Sequence, residues 1–189
     1  VPMDYEFLES EEGKPKEENF LLLERLLKWC RQSNLSVILD LHKTPGYDFN
    51  DAEIEGKNNL FESSSLQERF LALWKMLARR FGGNQDIAFE LLNEVVNPEF
   101  AKPWNRLIDR AVKTIREVTE DTLIIYGGVE WNSVKSVPLL EKPLDSNIMY
   151  TFHYYEPLLF THQKAAWVQA MKPDEDIPYP DDMKWYKEK

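Results

Sequence analysis

Apolar positions along this chain follow two alternating rhythms. Over residues 18–32, Phe20, Leu23, Leu26 and Leu27 recur every third or fourth residue, widened by Leu22 and Trp29. That period puts them on one face of a helix. Over 35–42 the spacing collapses into Leu35-Ser36-Val37-Ile38-Leu39-Asp40-Leu41-His42, a short buried strand that ends in polar groups. The alternation then repeats. Residues 65–81 carry Leu66, Phe70, Leu73, Trp74 and Leu77 at helical spacing and stop at Gly82-Gly83. Residues 86–92 form a second strand, with Asn93-Glu94 directly after it. Pro103 suits the first turn of a third helix running to Val118, with Leu107, Ile108, Ala111 and Ile115 on its apolar face. Residues 122–126 are a third strand closed by Gly127-Gly128, 134–140 a short helical turn, and 147–153 a fourth strand.

Strands that are nearly all apolar and separated by helices predict a parallel sheet covered by helices. Right-handed crossovers turn such a sheet into either an open doubly wound fold or a barrel. Val1-Pro2-Met3 reads as the end of a further strand, so the pattern opens midway and a piece of a longer chain is expected. Residues 44–59, rich in Gly, Asp and Asn, contain the turn signal Pro45-Gly46 and read as a long cleft wall or lid. The main domain is expected over 1–170, followed by a proline- and charge-rich tail over 171–189.

Composition narrows the function. At 43% hydrophobic and 13% aromatic residues, the 189-residue chain is globular. A net charge of -10 argues against a nucleic-acid partner. No apolar run approaches the roughly 18 residues of a membrane span, so no membrane partner is expected. The single cysteine, Cys30, excludes an internal disulfide and a cysteine-cluster metal site. No glycine-rich phosphate loop follows a strand, and there is no Gly-x-Ser-x-Gly nucleophile elbow. The acidic residues Asp48, Asp51, Glu53 and Glu55 do not match the calcium-loop pattern.

The chemistry-bearing residues cluster at strand ends. These are His42, then Asn93-Glu94, then Glu130-Trp131-Asn132, then His153-Tyr154-Tyr155-Glu156. In parallel β/α folds those ends share one face, where catalysis takes place. Glu94, flanked by apolar chain, is the first candidate general acid; capping a helix or pairing with a lysine is the alternative. Asn93 can meet a substrate hydroxyl or satisfy a loop amide. His42 and His153 can donate to a sugar hydroxyl or orient a carboxylate. A metal held by these two with Glu94 lacks ligand spacing, so neither metal nor cofactor is expected. Trp131, Tyr154, Tyr155 and Trp167 are candidates for stacking on a sugar ring, whereas Trp29, Trp74 and Trp104 read as packing residues.

Taken together, these segments resemble glycoside hydrolase family 5, the cellulase family of the retaining glycosidases. Ile38-Leu39-Asp40-Leu41-His42 with Pro45-Gly46 is similar to its third strand and loop. Phe89-Glu90-Leu91-Leu92-Asn93-Glu94 is similar to its fourth, and Thr151-Phe152-His153-Tyr154-Tyr155 to its sixth. Phe160-Thr161-His162-Gln163 with Trp167 also resembles some members. The resemblance implies a partial (β/α)8 barrel running from the end of strand two to just past strand six. It implies that Glu94 is the acid/base, that His42 lies near the glycone side, and that Trp131 and Asn132 line the cleft. It places His153 and Tyr155 near the nucleophile. The family's strand-two arginine would fall before Val1. Its strand-seven nucleophile has no counterpart, since Glu175 and Glu188 sit in no apolar strand context. The implied activity is retaining hydrolysis of a β-linked polysaccharide, with endo-β-1,4-glucan favoured, in a chain that alone lacks the attacking carboxylate. The alternative is a binding or structural protein on the same scaffold. A missing barrel segment or self-association through exposed edge strands follows as an expectation, as does secretion, from the polymeric substrate.

Overall fold

The computed structural model describes residues 1–52, 54, 56–168, 176–179, 182, 184 and 186. Glu53, Glu55, Glu175, Glu188 and most of the expected tail lie outside them. The chain forms two compact units, Val1–Phe152 and His153–Lys189. The parallel sheet of the first unit ends at Tyr150.

The first unit begins with β1 (Pro2–Asp4), a single helical turn α1 (Tyr5–Leu8) and a hairpin of β2 (Glu9–Glu11) and β3 (Lys14–Pro15). Then follow α2 (Glu17–Gln32), β4 (Val37–Lys43), α3 (Ser64–Phe81), β5 (Ile87–Glu90), α4 (Ala101–Arg116), β6 (Leu123–Tyr126) and β7 (Ile148–Tyr150). Short 3-10 turns cover Phe49–Asp51, Pro98–Phe100 and Val134–Leu139. The second unit contains α5 (Leu158–Thr161) among its described residues.

β1, β4, β5, β6 and β7 form one sheet in that spatial order, and every pairing is parallel. Spatial order equals chain order. A doubly wound sheet would reverse somewhere, so this sheet advances in one direction only, as the wall of a barrel does. β1 and β7 are its edges.

Strand geometry separates the two faces of the sheet. Val37, Leu39 and Leu41 of β4 are buried and join the core with Phe70, Leu73, Trp74 and Leu77 of α3 and Leu107, Ala111 and Ile115 of α4. The residues between them, Ile38, Asp40 and His42, point to the opposite face. There the register aligns Asp40, Glu90, Ile125 and Met149 in one row across four strands. Ile38 and Met149 are exposed on that face.

The helices follow local signals. Ser63 caps α3 by accepting from the Leu66 amide, and Arg79 and Arg80 occupy its last turn, where cations complement the helix dipole. Pro103 lies in the first turn of α4, where its missing N–H costs nothing. Three expectations are corrected. The apolar stripe of α2 is narrower than its spacing implied: Phe20 and Leu23 are buried, but Leu22 is exposed. Trp29 is 57% exposed beneath the Arg25 guanidinium rather than packed in the core. The expected strand 86–92 also stops at Glu90, because the chain bends away to bind other partners.

Candidate active site

At the end of β4, Asp40 and His42 stand on the same face because two residues separate like-facing side chains in a strand. The His42 imidazole Nδ1 meets the Asp40 carboxylate Oδ2 at 2.6 Å. Asp40 is buried, and the ring also packs edge-on against Phe49, with centroids 5.2 Å apart. The contact at Nδ1 orients the imidazole and leaves Nε2 as the nitrogen for another partner.

The end of β5 is irregular. The Leu91 amide still donates to Ile125 in the sheet, after which residues 91–96 leave it. Leu91, Leu92, Val95 and Val96 are buried, while Asn93 and Glu94 between them are half-buried. A buried backbone outside regular structure must find its hydrogen bonds elsewhere, and here several come from distant parts of the chain. The Trp74 indole N–H donates to the Leu91 carbonyl at 3.1 Å. The Tyr47 hydroxyl donates to the Glu94 carbonyl at 2.9 Å and accepts from the Val96 amide at 2.8 Å. The Glu130 and Trp131 amides donate to the carbonyls of Val96 and Val95. Two apolar pairs anchored on either side thus present Asn93-Glu94 at the C-terminal end of the sheet.

Tyr47 belongs to the segment expected to be a lid, yet it is only 3% exposed. Thr44 and Tyr47 exchange two backbone hydrogen bonds across a tight turn. Gly46 has φ +76, and a Cβ there would fall on the Leu66 side chain. The Tyr47 ring packs edge-on against Phe61, which stacks on Phe100. Burial pushes its phenol well above the ordinary value, the Val96 amide pulls it back, and the charges of Glu94 and Asp48 push it up further. The hydroxyl therefore stays protonated. No motif marked Tyr47 in advance. The only local signal was an aromatic residue directly after Pro45-Gly46.

After β6 the chain makes an unusual turn. Glu130, Trp131 and Asn132 all have positive φ, at 54, 55 and 55 degrees. Three successive non-glycine residues in the left-handed region carry a cost of about 1–2 kcal/mol each. Several bonds hold them there. The Asn132 Oδ1 accepts from the Gly128 amide at 3.2 Å, and the Glu130 and Trp131 amides are tied to the β5 segment. Gly127 is required because a Cβ would occupy the space of the Asn132 side chain. Its carbonyl accepts from the Trp104 indole at 2.9 Å. The turn leaves Trp131 53% exposed. Asn132, expected to line the cleft, is fully enclosed, so its role here is to close the turn by binding backbone.

The segment that carries Asn93-Glu94 and the turn that carries Trp131 and Asn132 are thus joined by the backbone hydrogen bonds of Glu130 and Trp131 to Val96 and Val95 within the first unit, and His42 lies at the end of the neighbouring strand. His153 and Tyr155 lie in the second unit. Their rings are edge-on at 6.2 Å, and Tyr155 packs in the same way against His162 at 5.0 Å. The Thr161 hydroxyl donates to the Tyr155 carbonyl at 2.6 Å. Tyr154, Tyr155 and Trp167 are exposed. Among the described residues, no group of three or more His, Cys, Asp or Glu side chains is placed to hold a metal ion, and no helix is long and apolar enough to cross a membrane.

A one-directional parallel β/α sheet with polar side chains gathered at its C-terminal strand ends is the arrangement of a β/α-barrel wall. Comparison with known proteins gives the family. The model for Cellulase (glycosyl hydrolase family 5) matches residues 1–188, and the chain belongs to that family. It is 40% identical to Endoglucanase C of Acetivibrio thermocellus over 95% of the chain and 52% of that protein. It is 36% identical to Cellodextrinase A of Ruminococcus flavefaciens over 96% of the chain and 54% of that protein. Thermotoga maritima Cel5A, solved in complex with mannotriose, superposes with a TM-score of 0.78 at 27% identity, over 100% of this chain and 59% of that one. The fold is therefore part of a (β/α)8 barrel, and the chain spans about half the length of the curated relatives it matches.

Proposed function

We propose that the protein carrying this chain is a retaining glycoside hydrolase acting on β-1,4-linked glucan within the polymer, with Glu94 as its acid/base. The observation that carries this is the placement of Glu94. It stands at a strand end on a segment gripped at Leu91, Val95 and Val96 by side chains and amides from α3, the 44–47 turn and the turn after β6. The two relatives named above, an endoglucanase and a cellodextrinase, support the substrate class.

In such a reaction Glu94 protonates the glycosidic oxygen while a second carboxylate, about 5 Å away, attacks the anomeric carbon. The leaving sugar departs with that proton. Glu94, now ionised, takes a proton from water as the water displaces the carboxylate and restores it. Asn93 and His42 are assigned to sugar hydroxyls, with His42 oriented by Asp40. Trp131 is assigned to the apolar face of a ring. His153 and Tyr155 are assigned to the neighbourhood of the attacking carboxylate. That carboxylate is assigned to the half of the barrel that the relatives possess beyond this span, so the isolated chain should not turn over. Action on an insoluble polymer implies secretion.

A second reading is carbohydrate binding without cleavage, carried by the exposed Trp131 and Tyr155. Hydrolysis of a soluble β-1,4-glucan separates the two. The whole protein should release reducing ends, and Glu94→Gln should lower that rate about 100- to 10,000-fold with the fold retained. Glucan binding without release by the whole protein would establish the second reading instead. Parallel assays on mannan decide whether the substrate is glucan alone.

A further inference from the structure

We infer that Tyr47 is a positioning residue for the acid/base: by bridging the Glu94 carbonyl and the Val96 amide, it sets the direction in which the Glu94 carboxylate leaves the backbone. This rests on the reading of Glu94 given above. The geometry is specific. A phenolic hydroxyl has one donor and can accept at the same time. Here it donates at 2.9 Å to residue 94 and accepts at 2.8 Å from residue 96. The Glu94 carbonyl lies in the rigid peptide plane that joins residues 94 and 95. Fixing that oxygen fixes the rotation about the Glu94 Cα–C bond, and with it the course of the side chain. Trp74 acts three residues earlier, at Leu91, and the amides of Glu130 and Trp131 act at Val96 and Val95. Tyr47 binds the backbone of Glu94 itself.

The anchor is itself rigid. Tyr47 is buried, its backbone is closed onto Thr44, and its ring rests on Phe61. Water has little access to the Val96 amide, so removal of the hydroxyl leaves that buried amide, and the half-buried Glu94 carbonyl, without this partner.

The test uses Tyr47→Phe in the whole protein, assayed on aryl β-cellobiosides whose leaving groups differ in basicity. Phenol needs a proton from the acid to depart, whereas 2,4-dinitrophenol does not. A misaimed Glu94 lowers kcat/KM for the phenyl substrate about 10-fold or more. It leaves the dinitrophenyl substrate within about 3-fold of wild type. Glu94→Gln should show the same selectivity, enlarged. Ile115→Val, a core change in α4, serves as the stability control and should not separate the two substrates.

Equal losses on both substrates, or no loss, for Tyr47→Phe while Glu94→Gln remains selective would overturn the role of Tyr47 and leave Glu94 in place. Loss of selectivity in Glu94→Gln would overturn the acid/base reading and the inference with it. If Tyr47→Phe does not fold, 3-fluorotyrosine at position 47 keeps both hydrogen bonds with altered strength. A leaving-group dependence steeper than wild type then supports the inference, and one equal to wild type rejects it.

Discussion

The ends of β4 and β5 lie side by side in one sheet, yet their functional side chains are held in opposite ways. His42 is oriented by Asp40, two residues earlier in the same strand. Glu94 sits where the strand has already ended, on backbone bound by Tyr47, Trp74, Glu130 and Trp131. The first arrangement needs only the pleat of one strand. The second needs three other parts of the chain to be in place. A site built in this second way is exposed to damage from residues that never meet a substrate, and the 44–47 turn and the left-handed turn after β6 are where such damage would enter.

The contrast can be broken first at Gly127. Gly127→Ala forces a methyl group into the space of Asn132. It should cost about 3 kcal/mol, read by chemical denaturation of the first unit. Amide exchange at Glu130 and Trp131 should accelerate with it, because it is their amides that bind the Val96 and Val95 carbonyls from the displaced turn. If those amides keep their protection, the β5 segment does not depend on the turn after β6.

At the β4 end the same kind of experiment should stay local. Asp40→Asn weakens the contact to His42 at a cost of about 1 kcal/mol. It should change the imidazole resonances of His42 and leave exchange over residues 91–96 as it was. A change spreading to the β5 segment would show that the two ends share one support.

A smaller effect comes from the opposite end of the strands. Asp145 binds Arg116, whose guanidinium lowers the carboxyl below its ordinary value against a smaller opposing effect of burial. A depressed folded-state value means that the stabilisation is complete above the unfolded aspartate value of about 3.9 and fades as pH falls through the lowered one. Asp145→Asn should therefore be less stable than wild type near neutrality, with the gap closing under acid. The pair is partly solvated, so the gap is small. A difference that persists unchanged at low pH would show that the carboxylate charge is not its source.

Much of this was legible in the residues because it depends on local periodicity. The long helices α3 and α4, the strands β4 and β6, and the polar residues after each strand follow from spacing that any short window shows. Two departures share a cause. Trp29 lies on a helical stripe but faces solvent, and Asn132 stands beside the exposed Trp131 but is enclosed. Both depend on which neighbour occupies the adjacent space, and composition does not carry that information. Tyr47 is the strongest case. It sits in a Gly-, Asp- and Asn-rich loop that reads as solvated, and becomes a buried anchor only when α3 and the β5 segment close over it.

By itself, then, the sequence determined the order of helices and strands, the gathering of polar groups at one end of the sheet, and Glu94 as the first candidate for chemistry. Periodicity and chain order suffice for those. Tertiary structure decided the one-directional winding of the sheet, the left-handed turn that exposes Trp131, and the grip of Tyr47 on the Glu94 backbone. Each of these depends on hydrogen bonds and excluded volume between residues that are distant along the chain, and such pairs exist only after the elements have packed.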